Sequence, residues 1–484
     1  MKLLSDIIED VKILETHGNV DVSVSTLSLN NKDIENNSLF AAIVGNITDG
    51  HLFINDVIKK GAKVVIHQND IKEFQEGITY IKVPDTKEAL GLIASNFYDH
   101  PSGKLKLIGV TGTNGKTTIT TLSHQLFRNL GYKAGMIGTV VNKINDEPFE
   151  TVRTTPDQIT LNKLLAEMVE AGCEYCFMEV SSHAVSEKRI AGLTFAGGVF
   201  TNLTLDHLDY HKTFEEYRDA KKAFFDSLSG YAFTLSNIDD PNGEYMFKDT
   251  KADIYAYSLK TFPAGMKQAI HFTDRLETKL IGEFNAYNVL AVYGVATLLG
   301  EDKEKVKKEI KNLEAVEGRF QYIKNENNIT GIVDYAHTPD ALENVLKTIS
   351  QMKNGGKVIT VIGCGGDRDK SKRPIMAKIS YDLSDVVILT SDNPRTEDPS
   401  EILNDMKAGL PVNTFQQGQS LLKEVHSILD RREAIEKACS LGQSGDYILI
   451  AGKGHEKYQE INGIKTHFDD MEELKKYLLT QEVL

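Results

Sequence analysis

The sequence is poor in cysteine, proline and net positive charge, and it has no long apolar run. Four cysteines in 484 residues are too few for a disulfide scaffold and fit a reducing compartment. Cys173-Glu174-Tyr175-Cys176 has the spacing of half a zinc or redox site. Cys364 and Cys439 make no second pair, so buried free thiols are expected. Eleven prolines and 41% hydrophobic residues exclude collagen-like and disordered chains. No stretch approaches the ~18 consecutive apolar residues of a membrane span. Asp6, Glu9 and Asp10 interrupt the segment where a signal peptide keeps an uncharged core. Leu3, Leu4, Ile7, Ile8 and Val11 instead predict an amphipathic first helix. A cytoplasmic protein with no membrane partner is expected. The balance of 55 Lys+Arg against 69 Asp+Glu leaves a net charge of -14, without the cationic face that nucleic acid demands. An anionic ligand would need local devices such as helix N-termini, glycine-rich loops or single Arg and Lys side chains.

What is present is a long α/β pattern. At roughly 150 residues per domain the length suggests about three domains. Residues 1 to about 98 hold strand-like pieces at 62–66 and 79–83 between helical stretches, and His100-Pro101-Ser102-Gly103 reads as a linker. Leu105 to Val110 reads as a buried strand. A helix follows with Ile119, Leu122, Leu126 and Leu130 on one face. Alternating strands and helices to about residue 318 imply a mainly parallel sheet. A further α/β unit has strands at 329–333, 358–363, 385–390 and 447–451, with Thr338 and Pro339 as N-cap and first helical residue. The expected units are 1–100, 101–318 and 319–484, the last Rossmann-like.

Thr111-Gly112-Thr113-Asn114-Gly115-Lys116-Thr117-Thr118 lies between a strand and a helix, where a phosphate loop belongs. Its glycines let N–H groups converge on phosphate oxygens, Lys116 would reach the β- and γ-phosphates, and Thr117 would ligate Mg²⁺. The spacing departs from GxxxxGK[ST], because position 110 is Val and Gly109 stands one residue early. Glu179 ends the strand Phe177-Met178-Glu179-Val180, where an Mg²⁺ ligand or general base sits, although many strand ends carry Glu merely for solubility. The segment 201–211, with Asp206, His207, Asp209 and His211, reads equally well as a solvated loop or as part of a two-cation site. Lys221 and Lys222 follow on a helix, and the residues alone give no reason to choose between them.

Together these segments resemble the Mur ligases: TGTNGKTT at 111–118, EVSSH at 179–183, TNLTLDHLDYH at 201–211 and AK with aromatics at 220–225. GEFNAYN at 282–288, Gly318-Arg319 and DYAHTP at 334–339 extend the likeness. The resemblance spans residues ~25 to ~460 and implies three domains: a UDP-substrate-binding α/β domain, a P-loop ATPase domain and an amino-acid-binding domain. It implies an ATP-dependent amide ligase of peptidoglycan precursor synthesis. Arg153-Thr154-Thr155-Pro156, residues 365–370, Asp392-Asn393-Pro394-Arg395 and residues 451–456 are similar to members that add meso-diaminopimelate as third residue of the peptide stem.

By that resemblance Gly112, Thr113, Asn114, Gly115, Lys116, Thr117 and Thr118 cradle ATP, and Asn285, Asn288, Arg319 and His337 contact the nucleotide. Thr117, Glu179, His207 and a carbamylated Lys221 would hold Mg²⁺, and Lys116, Lys221, His207 and Glu179 would be catalytic. Asn31, Thr154, Thr155, Ser182, Glu187 and Arg189 would hold the UDP-muramoyl dipeptide. Arg368, Asp392, Asn393, Pro394, Arg395, Gly452 and Glu456 would hold diaminopimelate. Small-molecule substrates and a monomer are expected. Two departures fall on the UDP-substrate side: Asn30-Asn31-Lys32 replaces the usual Asp-Ser-Arg, and Glu187 stands where Gln is common. The competing readings are the same reaction with L-lysine, a folylpolyglutamate synthetase, and a P-loop regulatory ATPase.

Overall fold

The computed structural model describes residues 1–45, 48–151, 153–260, 269–270, 276–412, 414 and 423–479. The side chains of Leu208 and Asp209, within the 201–211 motif, lie outside the described set. Three main sheets follow one another along the chain.

The first has five strands in the order Glu15–His17, Thr79–Lys82, Ala62–His67, Ser38–Ala41, Thr26–Ser28, parallel except at the Glu15–His17 edge. The predicted opening helix is shorter than its apolar pattern. Lys2 and Leu3 pair with Val24 and Ser23, so the helix is only Leu4–Ile7. Leu4 and Ile7 are buried while Leu3 is exposed; a long-range strand pairing overrides the local period. The proposed linker is structured too, since Pro101–Gly103 forms a 3-10 turn with Pro101 and Ser102 buried.

The second sheet places the phosphate loop. Strand Lys106–Thr111 lies between Tyr175–Glu179 and Gly197–Phe200, parallel to both, with Val110 opposite Glu179 and Val199. Buried on both faces, the strand is almost continuously apolar. The carboxyl ends of all three strands therefore open on one edge, where ligands of open α/β sheets bind. One departure from a parallel sheet is the hairpin Asn142–Ile144 with Glu147–Phe149, antiparallel at one side. Helix Lys116–Asn129 buries Ile119, Leu122 and Leu126, while Leu130 is only partly covered.

The third sheet runs Gln321–Lys324, Thr330–Asp334, Tyr447–Ala451, Val358–Cys364, Val386–Ser391, Glu424–Ser427, parallel beyond its first pair. Thr338 caps helix Pro339–Met352 by accepting from Ala341 N. All four cysteines are buried. No helix among the described residues is long and apolar enough to cross a membrane.

One buried ion pair ties the third unit together. Arg431 and Asp470 both have side-chain exposure of 0% and meet through Nε–H and Nη2–H, each at 2.7 Å. Removing one partner strands the other charge without water. Arg431→Leu is therefore expected to lower the unfolding free energy by about 3–5 kcal/mol, read by urea denaturation. Replacing both residues by apolar ones should cost far less.

Candidate active site

Gly112 and Gly115 have φ of +151° and +88°, and a Cβ at Gly112 would collide with Thr201 Oγ1. The loop is braced from 201–204: Thr113 N donates to Asn202 O at 2.8 Å, Asn114 N to Asn202 Oδ1 at 2.9 Å, and Thr201 Oγ1 to Asn114 O at 2.6 Å. Thus the first half of the 201–211 motif shapes the phosphate loop itself. Gly115, the N-cap of helix Lys116–Asn129, makes no side-chain cap, which leaves the first-turn N–H groups for an anion. Lys116 Nζ donates to Gly112 O at 2.8 Å and Thr113 O at 2.7 Å. Burial lowers its pKa, opposed by Glu179 and Asp206.

Lys116, Thr117, Glu179, Ser182, His207, Lys221, Arg319 and His337 all line one cavity of about 150 Å³. Glu179 is wholly buried and accepts from Thr139 N (2.8 Å) and Thr139 Oγ1 (3.1 Å). Lys221, on helix Phe214–Asp226, is 1% exposed, and its Nζ donates to Gly112 O at 2.9 Å. Burial and then the Lys116 charge push its pKa well below the lysine range, against Asp206. Its neighbour Lys222 turns away, to Asp226 and Lys248 O. Of the two lysines, the fold turns Lys221 to the cavity and Lys222 away from it. His207 has φ +55° and lies 3.5 Å from Asp206. Burial pushes its pKa down to about 3, opposed by Asp206 and helped by His183, Lys116 and Lys221. Among the described residues no three His, Cys, Asp or Glu side chains gather as a metal cluster. The oxygens of Thr117 and Glu179 nevertheless suit a hard divalent cation, and the His207 imidazole adds a softer nitrogen donor beside them.

The third unit completes the edge. Arg319 Nη2–H donates to Thr117 Oγ1 at 3.3 Å, and its guanidinium lies 4.4 Å from the Tyr335 ring centroid. His337 Nδ1–H donates to Tyr335 O at 2.9 Å, and burial pushes its pKa down to about 4. Asn114 Nδ2–H donates to Asp340 Oδ2 at 3.0 Å across the two units. Behind this contact is a cavity of about 470 Å³ lined by Gly115, Thr118, Tyr287, Asn288, Arg319 and Tyr335, among others. Asn288 lines it, but the expected nucleotide contact Asn285 does not. Asn285 is 5% exposed and accepts from Asn288 Nδ2 at 3.2 Å, so it orients Asn288 from behind.

Of the expected dipeptide residues, Thr154 and Ser182 also line the smaller cavity. Thr155 Oγ1 donates to Glu179 O at 2.7 Å, and Arg189 Nη1–H to Thr155 O at 3.0 Å. Glu187 is differently engaged. It pairs with Lys87 of the first unit at 2.5 Å and accepts from Tyr210 OH at 2.7 Å. A carboxylate where Gln is common thus becomes an inter-unit strut. Asn31 is set apart in the first unit, where it donates to Asp56 at 3.2 Å.

The remaining residues cluster after three neighbouring strands of the third sheet. Asp392 and Asn393 are buried behind strand end Ser391, and Asn393 Nδ2–H donates to Glu456 Oε2 at 2.7 Å. Gly452 has φ +116°, and a Cβ there would stand 2.7 Å from Asp392 Oδ2. Arg395, at φ +54°, gives one N–H to Gly366 O at 2.7 Å, which anchors its guanidinium, and Pro394 is buried just before it. Arg368 is exposed, with Nη1–H to Asp367 O at 3.3 Å. Tyr335 OH donates weakly to Glu456 Oε1 at 3.5 Å and so connects this cluster to Arg319. Sequence reasoning placed Asp206 in the 201–211 segment but gave it no role of its own; its charge acts on Lys116, His207 and Lys221. Nor did it give a role to Lys453, buried among Asp392, Asn393 and Glu456. The one available signal was their position inside motifs already singled out.

Comparison with known proteins agrees over the whole chain. The family descriptions that match are "Mur ligase family, catalytic domain" at 23–98, "Mur ligase middle domain" at 110–296 and "Mur ligase, glutamate ligase domain" at 318–454. A UDP-N-acetylmuramoyl-L-alanyl-D-glutamate–2,6-diaminopimelate ligase from Cytophaga hutchinsonii is 52% identical over 99% of both chains. The protein of that name from Phocaeicola vulgatus is 51% identical over 98% of both. A solved structure of that name is 32% identical, with a TM-score of 0.68 and 99% coverage of each chain. With the phosphate loop, the buried Lys221 and the arginine of the third unit facing one cavity, this likeness places the chain in the Mur ligase family.

Proposed function

We propose that this chain is an ATP-dependent ligase joining meso-2,6-diaminopimelate to the D-glutamate γ-carboxylate of UDP-N-acetylmuramoyl-L-alanyl-D-glutamate, in peptidoglycan precursor synthesis. It acts in the cytoplasm as a monomer, with units 1–100, 101–318 and 319–484 receiving the UDP substrate, ATP and the amino acid. The observation that carries this reading is the meeting of Lys116, Glu179, Lys221 and Arg319 at one cavity, in a chain half identical over its length to proteins so named.

A carboxylate does not acylate an amine at neutral pH, because oxide is too poor a leaving group. Its oxygen must first attack the γ-phosphorus of ATP, expelling ADP and leaving an acyl phosphate. The diaminopimelate amine then adds to the carbonyl carbon, phosphate departs, and the amine gives up a proton. Lys116 and Arg319 bring positive charge to the transferred phosphoryl group, the main protein contribution to such a transfer. Thr117, Glu179, His207 and a carbamylated Lys221 would hold Mg²⁺, which when bound screens the phosphate charge. The phosphate loop and the Asp392–Arg395 loop belong to different units, so their approach sets the encounter of the reactants.

The test is ADP release with ATP and the UDP-dipeptide across a panel of amino acids. Only meso-diaminopimelate should support rapid release; ADP formation without dipeptide and amino acid would point to a regulatory ATPase. Diaminopimelate differs from L-lysine by one terminal carboxylate, which the anchored Arg395 can meet with further N–H donors. Arg395→Ala should raise the KM for diaminopimelate about 10²-fold and leave the KM for ATP nearly unchanged. Comparable kcat/KM for L-lysine and diaminopimelate in the parent protein would reject this choice of amino acid.

A further inference from the structure

A lysine in the third unit is sealed from solvent. Lys453, in the turn after strand Tyr447–Ala451, is 0% exposed. Its Nζ–H donates to Asn393 Oδ1 at 3.0 Å, and the nitrogen lies 3.5 Å from Glu456 Oε2 and 3.9 Å from Asp392 Oδ1. An ammonium only donates, so the amide of Asn393 must turn its oxygen toward Lys453. Glu460 N donates to that same oxygen at 3.0 Å. The amide nitrogen is thereby directed to Glu456 Oε2, at 2.7 Å. One buried cation fixes one amide and, through it, one carboxylate.

The charges point the same way. Asp392 and Glu456 are two acids in one buried cluster, and an unbalanced pair of this kind cannot stay fully ionised. Glu456 faces Asp392 and Arg395 from the loop after strand Val386–Ser391, Tyr335 from the turn after Thr330–Asp334, and Tyr458 from the next strand. The charge of Arg431 reaches it from helix Arg431–Leu441. Burial and then Asp392 raise the Glu456 pKa, while Lys453, Asn393 and Arg395 oppose the rise.

We propose that Lys453 is a positioning residue for the incoming amino acid: it orients Asn393 and Glu456, and balances the Asp392–Glu456 pair, so that these groups can receive a substrate ammonium that Lys453 never touches. This rests on reading the cluster as the amino-acid site. At formal charges Lys453, Asp392 and Glu456 sum to one negative charge, which suits one ammonium. A merely structural lysine would stabilise the fold and leave all three substrates equally affected.

The test is steady-state ADP release by Lys453→Met, with the KM of each substrate measured from neutral to alkaline pH beside the parent. The expected result is a KM for diaminopimelate raised about 10- to 100-fold, with kcat and the other two KM values within a few-fold. The raised KM should fall relative to the parent as pH rises, because alkali restores the Glu456 carboxylate that Lys453 no longer favours. An unchanged KM for diaminopimelate, or equal increases for all three substrates, overturns the proposal. If Lys453→Met does not fold, Lys453→Met/Glu456→Gln removes one charge of each sign and carries the test. Its KM for diaminopimelate should match that of Glu456→Gln alone within a few-fold, whereas effects that multiply overturn the proposal. Should Glu456→Gln and Arg395→Ala themselves leave that KM unchanged, the amino-acid site reading fails, and this inference with it. If they raise it and Lys453→Met does not, only this inference fails.

Discussion

Lys116→Ala should reduce ADP release by about 10³-fold or more in a protein that still folds. In the structure the Lys116 ammonium bonds to Gly112 O and Thr113 O, two carbonyls of its own loop. Gly112 O also accepts from Lys221 Nζ, so it keeps a donor when Lys116 is lost. The structural cost is then about 1–2 kcal/mol for the bond to Thr113 O, far less than a domain's stability. The functional cost is larger because the same cation stands at the first turn of helix Lys116–Asn129, where phosphate oxygens would meet the loop N–H groups. Lys116→Arg should recover little, since a planar fork does not fit a loop shaped around a compact ammonium. Thermal melting beside single-turnover ADP release separates the two costs. Substantial turnover in a folded Lys116→Ala protein would remove the phosphate-loop assignment.

Elements whose signal is local were legible before the structure. Strand Lys106–Thr111 and its helix show in the switch from a continuous apolar run to a spaced one, and Thr338-Pro339 announces its own helix. The first helix was overestimated because Leu3 is claimed by Ser23, twenty residues away, in a pairing that no local period encodes. Glu187 could be singled out as unusual, but its partner Lys87 lies 100 residues earlier. Lys453 stood inside the 451–456 motif, but nothing in that segment announces its burial, since lysines are rarely sealed from water. Only the loops after two other strand ends bring Asp392, Asn393 and Tyr335 around its turn. The phosphate loop, by contrast, is a contiguous device, and contiguous devices are what a sequence displays best.

Lys221→Ala should be nearly inactive, down about 10³-fold or more, and acetate should partly restore it. Lys221 is buried against Gly112 O and the Tyr217 ring, whose centroid is 4.6 Å from Nζ. Burial, then Lys116, drives its amine toward the neutral form. A neutral amine can add CO₂ and release one proton, which turns a would-be second cation beside Lys116 into an anion with two oxygens. The sign of the linkage gives an independent check. The folded pKa is depressed below 10.5, so between the two values the unfolded chain binds the extra proton. Stability should therefore rise with pH through that window and level off above it. Lys221→Met removes this titration and should flatten that rise without lowering stability at neutral pH, because no buried ammonium remains to be desolvated. A lysine kept only for packing would behave oppositely, with little loss of activity and no response to acetate. The modification itself is read by ¹³C NMR after equilibration with labelled bicarbonate, which should show a carbamate signal in the parent that is absent from Lys221→Met. Undiminished activity in CO₂-free buffer, together with no such signal, would leave Lys221 an unmodified amine and return the cation site to Thr117, Glu179 and His207 alone.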